Sequence, residues 1–221
     1  MTVYKRTGRT DKTIKSVLEN KADKIEFLVL LDKPWKIEMT KLKELIDSWN
    51  SEDWTMQIFI QQTDKKITWL RNKAFEIAKN ENVFVINDDV EVSKNFDKII
   101  QEHLKNNIVN PVFRNPNEEW RRYKDNNISW HARAITKKNR NKIWMIDERL
   151  KLRYWDDFIF HNAIDHGLKI ERIDDVQIFH NWSKTIWNEE IKKEVQETIN
   201  QDLKNRKMIL KEKWRFDFRF Q

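Results

Sequence analysis

The apolar residues of this chain follow two spacings, and the spacing changes several times along the sequence. Continuous apolar runs at residues 25–31, 54–60 and 83–86 are typical of strands that are covered on both faces. Residues 2–4 predict a further short strand. Residues 10–18, 42–49 and 67–78 repeat their apolar positions every three or four residues, which predicts helices. This alternation of strands and helices predicts an α/β fold.

The second half of the chain continues the pattern less regularly. A helical face at residues 96–104 is followed by a polar stretch, residues 106–127, which contains two prolines and predicts a long loop. Residues 128–138 predict a strand and a turn, and a later helix ends at Gly167 before a last strand that contains "VQIFHNW". Beyond residue 185, a four-residue apolar spacing predicts a helix that leads into a basic, aromatic tail. We therefore expect a domain over residues 1–185 and a C-terminal helix and tail over residues 186–221.

A cluster of polar residues follows the strand predicted at residues 83–86, namely Asn87, Asp88, Asp89 and Glu91. Open α/β sheets bind ligands at the carboxyl ends of their strands. Hard cations prefer oxygen ligands and suit diphosphate substrates. A site for a metal–diphosphate is therefore the first hypothesis. The alternative interpretation is a polar loop that caps the next helix through Ser93.

Composition argues against several classes of protein. The chain has no cysteine, which excludes a disulfide framework, a thiolate nucleophile and a Cys-based zinc site. It has two glycines, and neither a dinucleotide-binding nor a P-loop sequence occurs, which argues against a Rossmann dehydrogenase and a P-loop NTPase. No apolar stretch approaches the length of a membrane span, and no apolar signal region is present at the N-terminus. We expect a soluble, cytoplasmic protein, located in the host cell cytoplasm if it is viral.

The charge balance narrows the class of partner. Lys and Arg outnumber Asp and Glu by 43 to 36, which gives a formal net charge of +7 and a pI near 9.4. A basic chain favours anionic partners such as nucleic acid, nucleotides or acidic lipid surfaces. The charge does not choose among them.

Several blocks of the chain, in this order, resemble GT-A glycosyltransferases of the family 2 type, which use a nucleotide-sugar and a divalent metal. The blocks are "VYKRTGRTDKTIKSVL", "EFLVLLD", "WLRNKAFEIAKNENVFVINDDV", "IDERLKLRYWDDFIFHNAIDHGLKI" and "IFHNW". The resemblance covers roughly residues 1–185. It implies a GT-A-like (Rossmann-like), mostly parallel central sheet that is flanked by helices and carries a helical C-terminal extension. It also implies Mn²⁺ or Mg²⁺ as cofactor and a nucleotide-sugar, such as a UDP-sugar, as donor.

The resemblance assigns donor-binding and metal-binding roles to individual residues. The residues expected to bind the nucleotide-sugar are Tyr4, Arg6, Asp32, Arg71, Asn87 and Asp88. Asp89 and His180 are expected to hold the metal. Asn87 departs from the usual DxD motif because it replaces the first carboxylate with an amide, so weaker metal binding or a preference for manganese is expected. The alternative interpretations are a solvated helix residue for Arg71 and a core histidine for His180.

The catalytic base is expected on the acceptor side of the site. Sugar transfer with inversion needs a base that accepts the proton of the attacking hydroxyl, and a carboxylate can do this within hydrogen-bond reach. Counting back from Gly167 favours Asp156 as the aligned aspartate, and one residue of slippage gives Asp157. Both residues are also compatible with a purely local role at the start of a helix, where acidic side chains are favoured.

The acceptor remains open at this point. The basic stretch at residues 114–124 and the tail at residues 204–220, where Trp and Phe alternate with charged residues, favour a nucleic-acid acceptor. One expectation is therefore a phage-type DNA-modifying enzyme, a hexosyl- or pentosyltransferase acting on a hydroxymethylated pyrimidine. Equally weighted is a surface glycan or lipid-linked acceptor reached by peripheral membrane contact. Protein acceptors, a noncatalytic nucleic-acid-binding protein and a metal-dependent nuclease or nucleotidyltransferase are further alternatives.

Overall fold

A computed structural model describes residues 1–4, 10–32, 40, 44, 54–61, 66–104, 107–114, 132–180 and 189–214. The elements of the first half are β1 (Thr2–Tyr4), α1 (Thr10–Asn20), β2 (Ile25–Asp32), β3 (Trp54–Gln61), α2 (Lys66–Ile77), β4 (Asn82–Ile86), β5 (Val90–Val92) and α3 (Phe96–His103). Those of the second half are β6 (Asn107–Arg114), β7 (Ala132–Thr136), α4 (Lys137–Arg140), α5 (Trp155–Asp165), β8 (Lys169–His180) and α6 (Glu189–Trp214). The helix predicted at residues 42–49 and the tail beyond residue 214 lie outside the described residues.

The strands form two sheets that together are mixed. The first sheet is parallel and has the order β1-β2-β3. The second has the order β4-β7-β6-β8-β5, in which β6 and β8 are parallel and the other neighbours are antiparallel. Helix α2 packs against β1 and β2, and α1 packs against β5. The predicted α/β fold is confirmed, with more antiparallel pairing than a mostly parallel sheet would have.

Two apolar clusters cover the second sheet. One joins α1, α3 and the strands, and its members Ile14, Val90 and Ile178 are fully buried. The other joins α5, β7 and α6, with Phe158 and Ile209 in its interior. Burying such a side chain stabilises the fold by roughly 1.5–3 kcal/mol. These clusters fix how α5 lies against the strands, and therefore where the first turn of α5 points.

The prediction of a long loop at residues 106–127 is wrong over its first part, because residues 107–114 form the strand β6. Ile108 and Val109 are fully buried, so their burial outweighs the polar character of their neighbours. The pairing of β6 with β8 shifts register between Pro111 and Val112. Proline lacks a backbone donor and is tolerated in a sheet at such irregularities. The remainder of the predicted loop lies outside the described residues.

The alternative interpretation of the acidic cluster, in which Ser93 caps the next helix, is also wrong. Residue 95, not residue 93, precedes α3, and its side chain makes no capping hydrogen bond. Ser93 is instead hydrogen-bonded to β8. Its hydroxyl oxygen accepts a hydrogen bond from the backbone amide of Gln177, and its own backbone amide donates one to the Gln177 carbonyl, both at 3.0 Å. The short strand β5, which no sequence pattern predicted, therefore continues the chain directly from the acidic turn into the second sheet.

Helix α5 ends where the sequence predicts. Gly167 has a φ of +69°, a left-handed conformation that favours glycine. The amides of Gly167 and Leu168 donate to the carbonyls of Ile164 and Ala163, which is the hydrogen-bond pattern of a Schellman motif.

The C-terminal helix α6 packs on the segment that leads into α5. The carboxylate of Asp202, fully buried, accepts the backbone amides of Lys151, Leu152 and Arg153 at 2.7–2.8 Å. The side chain of Asn205 donates to the Arg149 carbonyl at 2.6 Å. Helix α6 thus fixes the residues that immediately precede the candidate base. Within the described residues, no helix is long and apolar enough to cross a membrane.

Candidate active site

Four of the predicted donor residues, Tyr4, Asp32, Asn87 and Asp88, lie at the carboxyl ends of strands. Tyr4 and Asp32 are the last residues of β1 and β2 and are paired in register, so their backbones end at the same edge. Asn87, Asp88 and Asp89 follow β4 and form the turn that leads into β5. The side chains of Tyr4 and Asp32, and the whole of Arg6, lie outside what the structure describes. Their predicted roles in nucleotide binding stay predictions.

Arg71 connects α2 to the acidic turn. The residue is 3% exposed, and its Nη2 atom donates a hydrogen bond to the Asn87 Oδ1 atom at 2.6 Å. Burial and the nearby Arg133 lower the pKa of Arg71 to about 9, while Asp156 and Asp88 oppose this change. The group therefore stays charged at neutral pH. The interpretation of Arg71 as a solvated helix residue is wrong, because the helix turns this side chain inward. Asn87 acts here as the acceptor for a buried cation.

A buried tryptophan joins this region to the acceptor side. Two guanidinium groups lie over the ring of Trp155. The distance from the guanidinium carbon to the ring centroid is 3.4 Å for Arg71 and 4.1 Å for Arg133. All three side chains are at most 5% exposed. A desolvated cation over an indole face stabilises by about 2 kcal/mol or more. Sequence reasoning missed Arg133, although a single arginine inside the apolar segment "ARAIT" is a recognisable signal.

Asp156 lies beside this stack in the first turn of α5. It is 3% exposed, and its Oδ1 atom makes no hydrogen bond within the described residues. Burial raises the pKa of Asp156, and the adjacent Asp157 adds to this, whereas Arg133 and Arg71 oppose it. A carboxylate that combines burial, cationic neighbours and unused hydrogen-bonding capacity fits a proton acceptor.

Asp157 has a different environment. Its Oδ2 atom accepts a hydrogen bond from Nε of Arg206 at 2.6 Å, with both side chains about one quarter to one third exposed (26% and 31%). Arg206 also lies over the Tyr154 ring, 5.4 Å from its centroid. Both aspartates are thus first-turn residues, as the local interpretation expects. Asp156 is the more buried of the two aspartates and directly follows Trp155, over which Arg71 and Arg133 pack, and this favours it over Asp157 as the base.

The acidic turn offers ligands that suit a divalent cation. Asp88 and Asp89 are half-buried in the turn, and Val90, which follows them, is paired in register with His180 of β8. This pairing brings the backbone of His180 next to the turn, while its side chain lies outside the described part. Carboxylate oxygens with an imidazole form a donor set that suits Mn²⁺. No group of three metal-ligating side chains comes together among the described residues.

A large cavity in the protein lies away from these groups. It has a volume of about 520 Å³ and is lined mainly by apolar residues from the amino half of β2, the whole of β4, the last turn of α2 and the helix α3. Asp88, Asp89 and Asp156 are not among its lining residues.

The family model described as "Glycosyl transferase family 2" matches residues 1–165. No curated protein matches the chain in sequence.

Three solved structures share the fold at low sequence identity. GalNAc-T7 with UDP, GalNAc and Mn²⁺ has a TM-score of 0.65 and 14% identity, over 81% of this chain and 42% of that protein. TarS of S. aureus has a TM-score of 0.65 and 14% identity, over 84% and 37%. The mannosyltransferase PcManGT of Pyrobaculum calidifontis, in complex with GDP-Man and Mn²⁺, has a TM-score of 0.65 and 12% identity, over 83% and 57%. The chain thus spans less than two thirds of the length of each. These likenesses confirm the predicted GT-A-like fold.

Proposed function

Because this chain belongs to glycosyl transferase family 2, we propose that it transfers a sugar from a nucleotide-sugar to a hydroxyl acceptor with the help of a divalent metal. The observation that carries this proposal is the buried connection from Asn87 through Arg71 and Trp155 to Asp156. It joins the acidic turn, which suits a metal–diphosphate, to a carboxylate that suits a base. Two of the proteins with this fold contain Mn²⁺ together with a nucleotide or a nucleotide-sugar.

Each residue would contribute a separate part of the reaction. Asp89 and His180 would hold the cation, which neutralises charge on the departing diphosphate. Asp156 would accept the proton of the acceptor hydroxyl while the oxygen of that hydroxyl forms a bond to the anomeric carbon and the bond between that carbon and the diphosphate breaks. A direct displacement of this kind inverts the anomeric centre. Arg71 and Asp88 would fix the donor, with Arg71 held in place by Asn87.

The direct test is the release of nucleotide from UDP- and GDP-sugars in the presence of Mn²⁺. We expect release that is lost on chelation with EDTA and lost in Asp89→Ala. Asp165→Ala, which removes an exposed carboxylate from the far end of α5, is the matched control and should keep full activity. Failure of every donor to bind or turn over would overturn the proposal. Release without metal would overturn its metal requirement.

We further propose a hydroxymethylated pyrimidine in DNA as the first acceptor to test, because of the excess of basic residues, 43 against 36 acidic. Adding DNA with 5-hydroxymethylcytosine or 5-hydroxymethyluracil should then stimulate release, whereas unmodified DNA should not. Release that ignores the modified DNA would direct the search to surface glycans or lipid-linked acceptors. DNA binding that needs no donor and is accompanied by no release would indicate a noncatalytic nucleic-acid-binding protein.

A further inference from the structure

The strand β7 carries a charge where its neighbours are apolar. All five of its residues, Ala132–Thr136, are buried, and Arg133 is 2% exposed. Removing a guanidinium from water is costly and is tolerated where nearby groups compensate for the lost hydration. The groups that surround Arg133 should therefore identify what this charge does.

Two of these groups belong to the start of α5. The Arg133 guanidinium carbon lies 4.1 Å from the centroid of the Trp155 ring, on which Arg71 also packs. Asp156 follows Trp155 directly and interacts electrostatically with Arg133. Arg71 also donates a hydrogen bond to Asn87 and interacts electrostatically with Asp88. It therefore interacts with the acidic turn as well as with Asp156.

Building on the proposed function, we propose that Arg133 is a positioning residue: its buried positive charge, held in place by packing on Trp155, stabilises the ionised form of the adjacent Asp156, which is the form that accepts a proton. The charged groups that act on Asp156 are Arg133 from β7, Arg71 from α2 and Asp157 from α5 itself. Burial raises the pKa of Asp156, and of the two cationic groups that oppose this change Arg133 has the larger influence and Arg71 the smaller.

The test measures the ionisation of Asp156 without relying on sugar transfer. The protein is labelled with 5-fluorotryptophan, and the ¹⁹F resonance of Trp155 is identified as the one that disappears in Trp155→Phe. Its chemical shift is followed against pH, and the step that is absent in Asp156→Asn reports the titration of Asp156. The same titration is then recorded in Arg133→Met, which removes the charge and keeps an apolar stem, and in Arg133→Lys, which restores a charge.

The matched control is Arg140→Met. Arg140 is also buried, at 7% exposure, and its guanidinium carbon lies 5.0 Å from the centroid of the Phe75 ring. The variant therefore removes a buried arginine from an aromatic face without removing a charge that acts on Asp156. Circular dichroism and thermal melting check that each variant is folded. Arg133→Gln is a second charge-removing variant for use if Arg133→Met does not fold.

We expect the midpoint of Asp156 to rise by about one pH unit or more in Arg133→Met, to stay near wild type in Arg133→Lys, and to be unchanged in Arg140→Met. An unchanged midpoint in folded Arg133→Met or Arg133→Gln would overturn the proposal, as would an equal rise in Arg140→Met. If the shift occurs and no donor is turned over, the electrostatic role of Arg133 stands and the proposed function fails. If donors are turned over and no shift occurs, the proposed function stands and the electrostatic role of Arg133 fails.

Discussion

Two adjacent carboxylates in the first turn of α5 are held in opposite ways. Asp157 is joined to Arg206 of α6 by a direct hydrogen bond, next to Asp202, whose carboxylate accepts three backbone amides. Asp156 is buried and directly follows Trp155, over which Arg71 and Arg133 lie, and one of its oxygens has no hydrogen bond among the described residues. Buried polar groups are normally satisfied, and perturbed, unsatisfied ones concentrate at functional sites. The difference indicates a structural role for Asp157, which is bonded to α6, and a chemical role for Asp156, which is not.

The largest effect should come from removing each carboxylate separately. If Asp156 is the base, Asp156→Asn should lower kcat by about 10²- to 10⁴-fold, because the proton of the acceptor loses its partner. Asp157→Asn keeps Asp156 in place and should leave most of the activity. Nucleotide release with a turned-over donor measures both. Equal losses of activity in the two variants would contradict the assignment of a chemical role to Asp156 and a structural role to Asp157.

The next effect concerns stability on the α6 side. Asp202→Ala should lower the free energy of unfolding by about 3 kcal/mol, because three buried backbone amides lose a charged acceptor. Urea unfolding measures this. The control is Asp174→Ala, whose ion pair with Arg172 is largely exposed, and which should change stability by about 0.5 kcal/mol or less. A loss in Asp202→Ala as small as in the control would show that α6 does not hold the start of α5.

A smaller change is expected when the ion pair of Asp157 is broken. Arg206→Met keeps an apolar stem over Tyr154 and removes the hydrogen bond to Asp157. We expect a loss of about 0.5–1 kcal/mol in urea unfolding, since the pair is partly exposed. The pH at which Asp156 titrates in the ¹⁹F experiment should not change. A large shift of that midpoint would mean that the two sides of α5 are coupled.

The smallest effect is a dependence of stability on pH. Because burial raises the pKa of Asp156, its contribution to stability is fully present below the ordinary Asp value of about 3.9 and is lost as pH rises through the folded value. Asp156→Asn cannot ionise at this position, so its stability should improve relative to wild type as the pH rises above about 4. Urea unfolding at several pH values checks this. If the difference in unfolding free energy between Asp156→Asn and wild type does not vary with pH, then ionisation of Asp156 does not destabilise the folded protein.

Local patterns predicted much of the fold. Residues 67–78 gave a helix and residues 83–86 a strand because periodicity depends on neighbours a few positions apart. The end of α5 at Gly167 followed from turn chemistry in the same way. Strands β5 and β6 were missed because their pairing with β8 involves residues more than 60 positions away, and this pairing outweighed their local polar character.

The sequence by itself determined the order of the elements, the acidic turn after β4 and the two aspartates at the start of α5. Only the tertiary structure decided which aspartate enters the buried cluster, because successive helix residues point about 100° apart and packing sets the rotation of the helix. It also brought Arg133 and Arg71, 62 positions apart in the chain, to the same tryptophan. Contacts of this kind depend on how distant elements pack, and no local spacing encodes them.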